Sequence, residues 1–229
     1  MTWRQVLGWA GVAAIVEYVF LLAVVVREVI PPVVVIGVVI GVGTLLLRRG
    51  GKAGVIVTLV GFVLFVASNL AFAGQDLFQP AALLSFWVAF VALITAIVGL
   101  VSAIATLMGR SGFGAAHRTA LAAVVVSIVG MLGGVVTALT YDDATRSATD
   151  TVVIAKDVKF PTTLDAKAGT VTFFLDNRDQ VLHDFSLRGH KRELMPGGHQ
   201  VRFAVELQAG SYDYHCSIHT DMKGTLTVA

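Results

Sequence analysis

Hydrophobic positions along the chain change their rhythm once. Up to Leu139 the sequence is almost unbroken Val, Leu, Ala, Ile and Gly. From Tyr141 onward apolar and polar residues interleave with a period near two, punctuated by Pro and Gly. A bilayer core about 30 Å thick takes roughly 20 apolar residues per helix. Five stretches reach that length: 3–26, 29–47, 53–73, 80–108 and 119–140. The breaks between them are short and carry turn or charge signals: Arg27-Glu28, Arg48-Arg49-Gly50-Gly51-Lys52, Gly74-Gln75-Asp76, and Gly109 to Arg118. Pro31 and Pro32 fall where the second helix would start, a position where a missing N–H costs nothing. The later rhythm predicts strands at 151–155, 170–176, 183–187, 199–205, 210–215 and 224–228, an all-β sandwich. The expected organisation is a five-helix transmembrane domain over 1–143, a polar linker at 144–150 and a second domain over 151–229.

Composition supports the division. Of 229 residues, 56% are hydrophobic and 14% charged, and mean hydropathy is +0.80, more apolar surface than a water-soluble fold of this size can bury. The formal net charge of +2, with no basic or aromatic cluster, argues against a nucleic-acid partner. Charge placement says more than the total. With the N-terminus inside, Arg4, Arg48, Arg49, Lys52, Arg110 and Arg118 all face the cytoplasm, and Arg27 alone among the basic residues of this region faces outward. Five spans then put the C-terminal domain on the outer face of the cytoplasmic membrane. The first stretch is too long for the apolar part of a signal peptide and is expected to be retained. Gly37 to Gly41 and Gly130 to Gly134 have small-residue spacing that suits close helix approach, or that arises by chance among 23 glycines. Glu17 lies inside the first span and should face protein or be neutral.

The chemistry sits in the second domain. Cys216 is the one cysteine, so no intramolecular disulfide forms. Its surroundings read Tyr212-Asp-Tyr-His-Cys216-Ser-Ile-His219-Thr-Asp-Met222-Lys-Gly224: a strand delivers the thiol, and a short loop returns His219 and Met222. Leu182-His183-Asp184-Phe185, at the start of an earlier strand, offers a fourth ligand. A thiolate and two imidazoles in a plane, with a long thioether contact on the axis, make a type 1 copper site. His215 should point to the opposite face of its strand. His190 and His199 read as loop residues. Met195-Pro196 belongs either to an apolar rim beside His219 or to an ordinary turn. The membrane region offers His117 alone among histidines and no cysteine, too few ligands for a membrane haem or a copper path.

From about 151 to 229 the chain resembles the amicyanins within the wider plastocyanin-like, or cupredoxin, family. The Cys-x-x-His-x-x-Met loop and the approach strand Gly210-Ser-Tyr-Asp-Tyr-His-Cys216 carry the likeness, with Asn177-Arg178 six residues ahead of His183. The resemblance implies a Greek-key sandwich and one type 1 copper per chain, held by His183, Cys216, His219 and Met222. It also implies a link between Asn177 and Ser217 joining the two ligand loops. The expected function is one-electron transfer without enzymatic activity, serving redox partner proteins at the bilayer surface. Two rivals are a copper sensor, store or delivery protein and an accessory subunit of a respiratory membrane complex. A multicopper enzyme is disfavoured, because the chain has no His-x-His pair.

Overall fold

The computed structural model describes all residues except Arg27, Glu28 and Ser111, and the side chains of Val26 and of residues 70–73 are likewise left aside. The expected break at Arg27-Glu28, and the outward placement of Arg27, therefore lie outside the described residues. The chain divides into two compact units. One comprises Met1–Leu77 and Trp87–Leu132, the other Phe78–Phe86 and Gly133–Ala229.

The first unit holds α1 (Trp3–Phe20), which runs on as a π-helical segment (Leu21–Val26), then α2 (Pro31–Leu47), α3 (Lys52–Leu77) and most of α4 (Leu83–Leu107) and α5 (Phe113–Leu139), the residues of α4 up to Phe86 and of α5 from Gly133 being counted with the second. A reciprocal pair starts α1. Thr2 accepts the Gln5 N–H, and the Gln5 side chain takes the Thr2 N–H at 2.9 Å. Pro31 fixes the start of α2, with Ile30 extended ahead of it.

Among the described residues, four helical stretches are long and apolar enough to cross a membrane, where five were expected. The exception is α2, whose 17 residues span about 26 Å at 1.5 Å per residue, short of a full apolar core. Hydropathy counted Val29 and Ile30 into that helix, but the two prolines begin it after them. Elsewhere the helices outrun their apolar stretches. α3 continues through Gly74-Gln75-Asp76, and α5 already includes His117 and Arg118, both expected in a loop.

Close packing of α2 on α3 rests on glycines outside the expected motif. A Cβ on Gly43 would sit 2.6 Å from the Thr58 backbone nitrogen, and one on Gly54 would sit 2.6 Å from the Leu46 carbonyl carbon. Gly37 and Gly41, by contrast, leave room for ordinary contact with Tyr18 and Ile15. The α2 C-terminus is closed by Arg4, which donates to the carbonyls of Leu47, Gly50 and Gly51 at 2.9, 2.8 and 2.7 Å. A guanidinium there satisfies orphan carbonyls and matches the negative end of the helix dipole.

The second unit holds a sandwich of two sheets. The strands are β1 (Thr151–Ala155), β2 (Thr163–Ala166), β3 (Gly169–Asn177), β4 (His183–Leu187), β5 (Arg192–Met195), β6 (Gln200–Leu207), β7 (Gly210–His215) and β8 (Lys223–Val228). One sheet has the order β1-β3-β6, the other β2-β8-β7-β4-β5. The two strands the alternation missed, β2 and β5, are four-residue edge strands whose apolar rhythm is too brief to register. Inward positions fill one core, in which the Phe173, Phe185 and Tyr214 rings pack at a tilt with centroids 5.1 Å apart at each step. The Tyr214 hydroxyl donates to the Pro161 carbonyl.

The chain ahead of β1 is bound to the sandwich by its own polar groups. Ala144 donates its N–H to the Gln200 carbonyl at 3.1 Å, and Asp143 accepts the Gln200 N–H at 2.8 Å. Asp150, buried, accepts from both Nε and Nη2 of Arg202. That guanidinium, helped by the Ser147 N–H, holds the Asp150 carboxyl below the usual carboxylate range. Because folding lowers its proton affinity, the ion pair contributes fully above the ordinary carboxylate value. The contribution disappears as pH falls through the lower folded value. Asp150→Asn should therefore lower the thermal midpoint of this unit at pH 7. The gap from the parent should close on acidification, measured as paired melting curves down a pH series.

Candidate metal centre

Antiparallel pairing of β4 with β7 sets Ser186 opposite His215 and Leu187 opposite Tyr214. The first residue of β4 thus comes to the end where β7 runs out, so His183 lies beside Cys216. Two backbone bonds close the loop that follows: Cys216 N–H to Met222 O at 2.8 Å, and Met222 N–H to His219 O at 3.2 Å. They fold Cys216, His219 and Met222 back on one another before β8 begins.

Among the described residues, His183, Cys216 and His219 form a group whose ligand atoms all lie within 4.8 Å of one another. The two imidazoles present Nδ1 to each other at 3.0 Å, and Cys216 Sγ lies 3.6 Å from Nδ1 of His219. One ion with bonds of about 2.0 Å to nitrogen and 2.3 Å to sulfur spans gaps of that order. His183 is fully buried, Cys216 nearly so, Met222 fully buried, and His219 half-buried. His215 is exposed, on the far face of its strand from the buried Tyr214 and Cys216. Met195 is also fully buried, on β5 opposite His183. His190 lies exposed in the β4–β5 turn, and His199, ahead of β6, faces Asp143 at 3.1 Å.

The electrostatics suit a soft cation. Burial depresses the proton affinity of His183, against the pull of Asp179. Burial, with His183 beside it, pushes His219 down to about 4. Both rings are therefore neutral near pH 7. Burial pushes the Cys216 thiol up, partly opposed by N–H donors from Asp184, Ile218 and His219. The Asp184 N–H points at Cys216 Sγ, 3.4 Å away.

The link between the ligand loops is not the expected one. Asn177 instead donates to the carbonyls of Val181 and Met195, at 2.9 and 2.7 Å, closing the turn ahead of β4. Ser217 is bound to Asp184, through both its N–H and its hydroxyl. Asp184 is fully buried and also accepts from Arg192. The residue that bridges the loops is thus the one after His183. It must sit near Ser217, because β4 and β7 are neighbours and Asn177 is a turn away. A carboxylate next to a ligand histidine was the available signal. Two further residues escaped the sequence reading: Asp179, hydrogen-bonded to His183, and Ser85, whose Oγ accepts the Leu182 N–H at 3.0 Å within the same unit.

The two-sheet fold, with soft sulfur and two imidazoles at one end, defines a cupredoxin-like domain. Residues 128–228 match the family model of the cupredoxin-like domain. The C-terminal part of this chain is therefore a cupredoxin-like domain, and its donor set points to copper binding and electron transfer. Among solved structures, a reduced single-substitution variant of amicyanin is 25% identical, covering 37% of this chain and 86% of its own, with a TM-score of 0.32. A Cu(I) form of another amicyanin variant is also 25% identical over 39% of this chain and 90% of its own, with a TM-score of 0.34. Amicyanin from Paracoccus versutus (Thiobacillus versutus) is 26% identical over 37% and 85%, with a TM-score of 0.33. No curated protein matches the chain.

Asp184→Ala would remove the fully buried acceptor of the part-buried bonds from the Ser217 N–H and hydroxyl and from Arg192. Water can reach both donors, so the expected cost is about 1 kcal/mol of stability, read as a lower urea midpoint. Asp184→Asn keeps one acceptor oxygen and should lose less.

Proposed function

We propose that this chain is a membrane-anchored type 1 copper protein that carries single electrons at the outer face of the cytoplasmic membrane. The observation that carries the reading is the convergence of His183 Nδ1, His219 Nδ1 and Cys216 Sγ at one end of the sandwich. These three would hold one copper per chain, and Met222, fully buried in the same loop, would supply a thioether. Copper bound there supplies a one-electron couple between Cu(I) and Cu(II). The protein supplies everything else. Two strand ends and a bonded loop hold the ligands still, so little moves when charge changes. Burial of His183, Cys216 and Met222 excludes water. The half-buried His219 ring leaves an edge toward a redox partner. No group positioned to transform a substrate is needed, and the reading is of a carrier, not an enzyme.

The apolar helices support membrane anchoring: four stretches among the described residues have spanning length and apolarity, and with the apolar 17-residue α2 as a short fifth crossing the two ends of the helical region fall on opposite faces. Packing also gathers the cationic ends of these helices. Arg4 binds the carbonyls of the Arg48–Lys52 turn, and Trp3 and Val6 pack with Ala105 and Ala116, next to the Arg110 to Arg118 connection. Positive residues collected at one end favour that end inside. The bilayer is then one partner, and protein electron donors and acceptors are the others.

Copper-loaded protein should show an intense visible thiolate charge-transfer band that cycles reversibly on reduction. Cys216→Ala should abolish it. Met222→Leu, which removes a donor from the more highly charged oxidation state, should keep the colour and raise the reduction potential. A colourless complex, or copper donated to a chelator faster than electrons exchange, would overturn the reading in favour of copper handling. Both imidazoles are already neutral, so only Cys216 has to ionise. Loading Cu(I) at pH 7 should release about one proton per site, measured by calorimetry in buffers of differing ionisation heat.

A further inference from the structure

We propose that Asp179 is a positioning residue for the ligand His183, fixing which ring nitrogen faces the metal and placing a carboxylate one hydrogen bond behind it. The inference rests on the copper reading above. Asp179 stands between β3 and β4, four residues ahead of His183, and its Oδ2 lies 2.9 Å from Nε2 of that ring. The ring therefore donates its proton backward to Asp179 and turns the Nδ1 lone pair toward Cys216 and His219. Outer partners of this kind set ring orientation and raise the basicity of a ligand imidazole.

The carboxylate is itself held from several sides. Its Oδ1 accepts the Asp157 N–H at 2.8 Å and its Oδ2 the Val158 N–H at 3.0 Å. Its own N–H donates to Asn177 Oδ1 at 3.0 Å, which bends the chain so that the side chain faces inward. The turn it grips is unusual. Asp157 and Val158 both have φ of +55°, the left-handed region, which a β-branched residue seldom enters. Lys156 and Lys159 close that turn by reciprocal backbone bonds of 3.1 Å. Hairpin turns of this hand normally rely on Asn-Gly or Asp-Gly. Here two successive N–H groups converge on an anion, a geometry that backbone turns offer to anions generally.

Among the described residues no Lys or Arg is ion-paired to Asp179, whereas Arg178 beside it pairs with Asp176. Three donors, the Asp157 and Val158 N–H groups and the His183 ring, converge on the Asp179 carboxylate, an arrangement that suits an anion. Its charge thus acts through His183 in favour of the more positive oxidation state.

The test uses the full chain in detergent, with nitrogen-labelled histidine. In the metal-free protein, His183 should be almost entirely the Nε2–H tautomer, and Asp179→Asn should mix the two tautomers. In the copper-loaded protein, Asp179→Asn should shift the one-electron equilibrium toward Cu(I) by roughly tenfold, a rise of about 59 mV. Val158→Gly separates this from simple turn stability. It relieves the left-handed strain and should raise the melting temperature without moving tautomer or potential. In the double variant, stability should recover while tautomer and potential stay altered. Parental tautomer and potential in Asp179→Asn, or recovery of both in the double variant, would overturn the proposal. If the parent took up no copper, the copper reading would fall, while the metal-free tautomer measurement would still decide the role of Asp179.

Discussion

The pairing of β4 with β7 is the constraint on which the rest of the second unit depends. Antiparallel neighbours bring the start of one strand to the finish of the other. That juxtaposition alone puts His183 against Cys216 across more than thirty residues of chain. Once the two ends meet, each local detail has a place to act. The Asp184 N–H reaches the sulfur, its carboxylate reaches Ser217, and the Cys216 loop closes on Met222. A slip of one residue in this register would turn every inward side chain of β4 outward and separate the donors.

Much of the centre was readable from the chain because its chemistry is local. Cys216 and His219 of the observed cluster lie three positions apart, and only His183 had to come from elsewhere. The polar scaffolding around them was not readable, because it depends on which strands become neighbours. Asn177 stood at a suggestive distance from His183, yet its side chain is used up closing a turn onto Val181 and Met195. Asp184 looked like an ordinary strand residue, and only the β4–β7 register reveals that it faces Ser217. Strands β2 and β5 escaped for a related reason: four polar-rich residues make an edge only when β8 and β4 are there to receive them.

The helical unit teaches a complementary lesson about length. All five apolar stretches became helices, which satisfy the backbone N–H and C=O groups within each segment. Their ends were set by chemistry that hydropathy does not weigh. Two prolines shortened α2, and polar residues at Gln75-Asp76 and His117-Arg118 were drawn into α3 and α5. Small residues also mattered at other places than their spacing suggested. Gly43 and Gly54 make tight contacts between α2 and α3 while Gly37 and Gly41 lie at comfortable distance, but Gly130 of the second expected pair does pack closely, against Phe90.

The polar stretch ahead of β1 has a practical side for protein engineering. Its backbone and carboxylates are spent on β6: Ala144 and Asp143 on Gln200, and Asp150 on Arg202. A water-soluble fragment cut at Thr151 would keep every metal donor and still expose the edge these groups cover, with Arg202 facing solvent in place of a buried carboxylate. Whoever excises the copper-binding half for crystallisation or electrochemistry should begin ahead of Asp143 and treat those residues as part of the sandwich.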